Sequence, residues 1–162
     1  MGVMHWSDLM TKIHIAKGNI AQFSGDAIVE AHHKNHSDKD CGVGRAKLIL
    51  DSDTFKKHVI KTIVPRWHGG KEREIEMLAR SQIACLDKAA EAGASDVAFP
   101  VISTDYKDYP SREAADVAMS ATALWIDHFG QTSSLQDVHF LCDDEDIRKS
   151  LEDALDNTGL SA

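Results

Sequence analysis

The chain has 162 residues, 43% hydrophobic and 27% charged, with a formal net charge of −8. This fits one globular domain spanning the whole chain, with its core at about residues 11–156. The negative field disfavours nucleic acid and anionic membrane surfaces as partners. The three cysteines, Cys41, Cys85 and Cys142, form no Cys-x-x-Cys pair. That speaks against a disulfide framework or zinc ribbon and fits reduced thiols in a cytoplasmic protein. The first ten residues lack the apolar centre of a signal peptide, and no apolar run approaches the ~18 residues of a membrane-spanning helix.

Ile13 and Ile15 alternate with polar residues ahead of Gly18, predicting a first strand. Gly25-Asp26 is a turn signal, and Ala27-Ile28-Val29 reads as a buried strand behind it. Residues 59–64 form a third apolar run, ended by Pro65. From 72 to 92, Ile75, Leu78, Ala79, Ile83, Leu86 and Ala90 recur at helical spacing, and Gly93 is a natural stop. Residues 97–102 are a nearly all-apolar strand. Ser111 reads as the N-cap of a helix through Ala115, Ala118, Ala121, Trp125 and Phe129 to Gly130. Residues 138–141 form the last strand. Residues 144–155 form the last helix, with Ile147, Leu151 and Leu155 four apart and acids in its first turn. His14 and His139 read as sheet-face residues, and Trp6, Trp67 and Trp125 as packing residues. Apolar runs alternating with amphipathic helices predict a largely parallel sheet covered on both faces, with ligands bound beyond the carboxyl ends of its strands.

Four segments, in order, resemble the macrodomain signature. They are Lys17-Gly18-Asn19-Ile20 followed by Gly25 to Val29, then His58 to Trp67, then Ala98 to Thr104 with Tyr109-Pro110, and lastly the closing strand with its acidic helix. The resemblance runs from about Ile13 to Leu155. It implies a three-layer α/β/α fold around a central mixed, largely parallel sheet, and ADP-ribose or a related small molecule as ligand. Some macrodomains also hydrolyse ADP-ribosyl bonds.

Carried onto this sequence, the family's ligand positions fall on Asn19, Ile20, His33, Gly42, Val43, Gly44, Ser103, Thr104, Asp105, Tyr106 and Lys107. Several of these residue types depart from the pattern. Asn19 stands where the family's aspartate accepts the adenine amino group, and an amide accepts without charge assistance. His33 takes the place of the asparagine that faces the distal ribose. Gly42-Val43-Gly44 matches the glycine-rich loop whose N–H groups cradle phosphate at a helix N-terminus. Gly44 stands where hydrolytic members carry an aspartate. Asp105 and Asp108 replace two glycines of the second phosphate loop, where carboxylates repel a diphosphate and block close backbone approach. Cys142 occupies the place of an adenine-stacking aromatic. The resemblance therefore implies a binding module that needs no cofactor and in which hydrolysis by the usual route is disfavoured; His33 is the candidate catalytic residue.

Two other functions stand beside that one. His32, His33 and His36, with Asp38, Asp40 and Cys41 near them, are competent metal ligands, and such a site would serve a metal-assisted hydrolase. Neighbours on a strand point to opposite faces, so His32 and His33 can share an ion only if the strand has ended. The remaining alternative is a degenerate scaffold acting through its surface in protein interaction.

Overall fold

The computed structural model describes residues 10–33, 42–50, 58–65, 69–71, 73–100 and 111–160. In chain order the elements are β1 (Lys12–Lys17), a single 3-10 turn (Ile20–Gln22), β2 (Ala27–His33), β3 (Ala46–Leu50), β4 (His58–Val64), α1 (Glu74–Glu91), β5 (Asp96–Phe99), α2 (Ser111–Phe129), β6 (Asp137–Cys142) and α3 (Glu145–Asn157). The six strands form one sheet in the order β1-β6-β5-β2-β4-β3. Every neighbouring pair is parallel except β3 with β4. The sheet is mixed and largely parallel, as expected.

Ile13 lies opposite Val138, Val138 opposite Val97, Val97 opposite Ala27, and Val29 opposite Ile60. With a side-chain period of two, these residues share one face. They cluster with Leu78 and Leu86 of α1, Met119 and Ile126 of α2, and Leu151 and Leu155 of α3. All three helices therefore cover that face. Phe99 and Phe140, paired across β5 and β6, stack there with centroids 5.5 Å apart. Each such large side chain contributes roughly 1.5–3 kcal/mol by leaving water.

The helices are also tied to one another. Buried Gln82 donates through Nε2 to Thr122 Oγ1 at 3.0 Å, and that hydroxyl donates to the Ala118 carbonyl at 2.7 Å. Trp125 Nε1 donates to Asp87 Oδ1 at 2.9 Å.

The opposite face is covered more thinly among the described residues, by the loop that carries the 3-10 turn. Its Phe23 lies against the His139 ring at 5.1 Å, and His139 stacks on His14 at 4.8 Å. At the amino ends of the parallel strands, Asp26 and the start of β5 interlock. Asp26 Oδ2 accepts from Ser95 N at 2.8 Å and Ser95 Oγ at 2.6 Å, while Asp26 N donates to Asp96 Oδ1 at 2.6 Å. The Ser95 hydroxyl, chiefly, holds the Asp26 carboxyl below its ordinary range.

Three local expectations are corrected. β3 was not foreseen. Ser111 opens α2 as its first helical residue instead of capping it. Ile75, read with the apolar stripe of α1, is 51% exposed, whereas Leu78 and Leu86 carry the packing.

Burial, followed by the charge of His14, pushes the His139 imidazole below its ordinary pKa of 6.5, with Asp96 and Asp137 opposing. The folded protein thus favours neutral His139. That contribution to stability is full above pH 6.5 and is lost as pH falls below it. The thermal midpoint of the native chain is expected to fall more steeply than that of His139→Gln between pH 7.5 and 5.5, in buffers of matched ionic strength; parallel slopes would contradict it.

Candidate functional site

Because five strands run parallel, their carboxyl ends at Lys17, His33, Val64, Phe99 and Cys142 share one edge. α1 and α3 return from that edge after β4 and β6, so they begin beside it. The crevice outside such an edge is the general ligand site of open α/β sheets.

One wall is the turn after β1. Gly18 N donates to the Cys142 carbonyl at 3.4 Å, tying the turn to the end of β6. Asn19 is extended at φ −109° and accepts at Oδ1 from Ala21 N at 2.9 Å, capping the 3-10 turn. The next N–H groups close that turn, Gln22 N to Asn19 O at 3.0 Å and Phe23 N to Ile20 O at 3.2 Å. Asn19 is exposed, and this cap uses one lone pair of its oxygen, leaving its amino group unspent.

The second wall is the start of α3. Asp144 Oδ1 accepts from Asp146 N at 2.9 Å and Ile147 N at 3.1 Å, satisfying two N–H groups that the helix leaves open. Cys142 Sγ lies 3.6 Å from the Asp144 carbonyl. Burial, chiefly, pushes the Cys142 thiol up, so it is protonated at neutral pH and makes a poor nucleophile.

At the end of β2, the His32 ring lies 3.6 Å from Glu30, both half exposed. β2 continues through His33, whose backbone is in register with Val64. The His33 side chain lies outside what the structure describes, and with it the expectation that His32 and His33 share an ion. Among the described residues no three His, Cys, Asp or Glu side chains group as a metal site. His36, Ser103, Thr104, Asp105, Tyr106 and Lys107 lie outside the described residues.

Gly42-Val43-Gly44 is the largest departure from expectation. A phosphate-cradling loop should open a helix, but Ala46–Leu50 is β3, antiparallel to β4. Val43 bridges Ile63, and Gly44 N donates to the Ile63 carbonyl at 3.0 Å. Ser81 Oγ of α1 reaches the same carbonyl at 3.2 Å, and Thr62 Oγ1 donates to the Arg45 carbonyl at 2.7 Å. Arg45 N closes back on the Gly42 carbonyl at 3.1 Å. The N–H groups of Gly44 and Arg45 are thus spent on the fold. Gly44 is buried at φ +81°, and an added Cβ would lie 3.3 Å from Met77 Sδ and 3.4 Å from Arg80 Cβ. Gly44 therefore lies beneath α1.

The functional edge that sequence reasoning missed is the Gly18–Cys142 tie. Its signal was the pairing implied by two apolar runs ending in Lys17-Gly18 and Cys142-Asp143.

The family model described as Macro domain matches residues 8–118. The chain is 26% identical over 178 residues to the O-acetyl-ADP-ribose deacetylase of Shigella flexneri, covering 93% of this chain and 99% of that protein. It is 31% identical over 143 residues to the protein of the same name from Shigella dysenteriae, covering 88% of this chain and 79% of that protein. Among solved structures, the Oceanobacillus iheyensis macrodomain with ADP is similar with a TM-score of 0.75 at 19% identity, covering 91% of each chain. The Trypanosoma brucei macrodomain in complex with ADP-ribose gives 0.74 at 21% identity, covering 88% of this chain and 68% of that one. At these identities the structural likeness speaks for the fold.

Gly44→Ala forces a side chain into the left-handed region and against α1, and is expected to cost about 1–3 kcal/mol in urea unfolding. A loss under a few tenths would mean that the turn relaxes freely.

Proposed function

The chain belongs to the Macro domain family, and from that premise we propose that it binds ADP-ribose or a related nucleoside diphosphate in the crevice at the carboxyl ends of β1, β6, β5 and β2, without the family's usual hydrolysis. The observation that carries this reading is the Gly18-Asn19-Ile20 turn, anchored to β6 and presenting the Asn19 carboxamide at that edge. The carboxamide oxygen keeps a lone pair beside the cap for an adenine amino group. Relatives named for deacetylating O-acetyl-ADP-ribose, and similar structures holding ADP or ADP-ribose, support the ligand class.

Hydrolysis is disfavoured by Gly44, which supplies no carboxylate and lies under α1, and by His33 in the asparagine position. The second reading is deacetylation or hydrolysis of such a nucleotide, favoured by the names of the relatives, with His33 as the candidate base. We put either activity in the cytoplasm, where free thiols such as Cys85 and Cys142 stay reduced.

Calorimetric titration with ADP-ribose is expected to give saturable micromolar binding. Asn19→Asp keeps the cap and makes the adenine contact charge-assisted, so it should tighten binding several-fold. Absence of heat at millimolar ligand would retire the binding reading. Acetate release from O-acetyl-ADP-ribose above the uncatalysed rate, lost in His33→Ala, would replace it with the enzymatic one.

A further inference from the structure

We propose that the seam between α1 and α2, on the outer side of the helical layer, receives an amphipathic helix of a partner protein whose cationic end lies beside the nucleotide crevice. The seam forms a trough of about 440 Å³. Ile75, Ala79 and Ile83 follow one another on α1 at four-residue spacing, and Val117, Ala121 and Leu124 do so on α2 at four and three. Each set is one stripe along its helix. The small residues Ala79, Ser120 and Ala121 alternate along the seam with bulkier Ile75, Ile83 and Leu124, so it can seat a ridge of side chains.

Ile83 and Val117 pack against the core and Ala121 is buried, but the outer members of the stripes are not spent on it. Ile75 is 51% exposed and Leu124 53% exposed, while the buried contact between the helices is made by other residues, Gln82 with Thr122 and Trp125 with Asp87. Ile75 to Ile83 spans about 12 Å at ~1.5 Å per residue, two turns of a docked helix.

Charge decides among occupants. Besides Ser120, the polar lining consists of two carboxylates, Glu113 and Asp116, near the start of α2. Among the described residues neither makes an ion pair, whereas the neighbouring acids Glu76 and Glu91 are paired with Arg73, Arg80 and Lys88. A lysine or arginine placed there would meet two unneutralised acceptors at the edge of an apolar trough, where the pairing is stronger than in open water. A second copy of this chain fits poorly. Two molecules of net charge −8 repel. The same carboxylates turn the trough away from an anionic lipid surface. Helix-in-groove recognition with apolar anchors at helical spacing and a basic end meets both the shape and the charge.

The probe is a fluorescein-labelled helical peptide of about 16 residues, with leucines every fourth position and two lysines at one end, followed by anisotropy on the intact chain. Saturable binding is expected. It should weaken about tenfold in Leu124→Ser and in Ile75→Ser, and several-fold in Glu113→Gln/Asp116→Asn or when the peptide lysines become glutamates. The exposed positions should leave the thermal midpoint of each variant near that of the parent. Failure to saturate at millimolar peptide would overturn the proposal. So would equal affinity for the cationic and anionic peptides, or a dimer in light scattering that Leu124→Ser dissociates.

Discussion

The parallel pairing of β1, β6, β5, β2 and β4 is what the crevice depends on, because only parallel strands deliver all their carboxyl ends to one edge. That pairing has a requirement of its own. Parallel strands must be joined by long crossovers, and the helices that form them must bury one sheet face to be stable. Phe99, Phe140, Ile60 and Val138 meet Leu78, Leu86, Met119 and Leu151 on that face. The Asp26–Ser95–Asp96 interlock fixes the amino ends of β2 and β5, so the position of the site at the far end is set by contacts a strand length away. The second face has no comparable cover among the described residues, and its Phe23–His139–His14 stack is correspondingly more exposed to pH.

The helices and five of the six strands were legible from period and punctuation. Gly93 stops α1, and Asp144 begins α3 by accepting two of its open N–H groups, both as the residue types dictate. β3 was not read, although Arg45-Ala46-Lys47-Leu48 alternates polar and apolar as a half-buried edge strand should. The glycine pattern ahead of it was matched to a phosphate loop first. A motif of glycines says that the backbone needs freedom; it does not say why. At Gly44 the reason is a left-handed turn wedged under α1, with its N–H closing on Ile63. Exposure of Ile75 was equally invisible in the helical period, since a stripe that packs and a stripe that waits for a partner have the same spacing.

Of the candidate site, the β1 turn was legible because its residues act locally. Asn19 caps its own turn, and that role is independent of any ligand. The proposed adenine contact and the local cap therefore fall on one side chain. Of the other described residues at that edge, Asp144 is spent on α3 and Cys142 is held as a thiol.

The most direct measurement is an amide chemical-shift titration of the 15N-labelled protein with ADP-ribose. The expected result is saturable movement of Gly18, Asn19, Ile20, Cys142 and Asp143, with Gly44 and Arg45 unmoved because their N–H groups belong to the fold. Movement centred on Gly44 and Arg45, with the β1 turn silent, would mean that the glycine turn is the phosphate loop after all and would contradict the account.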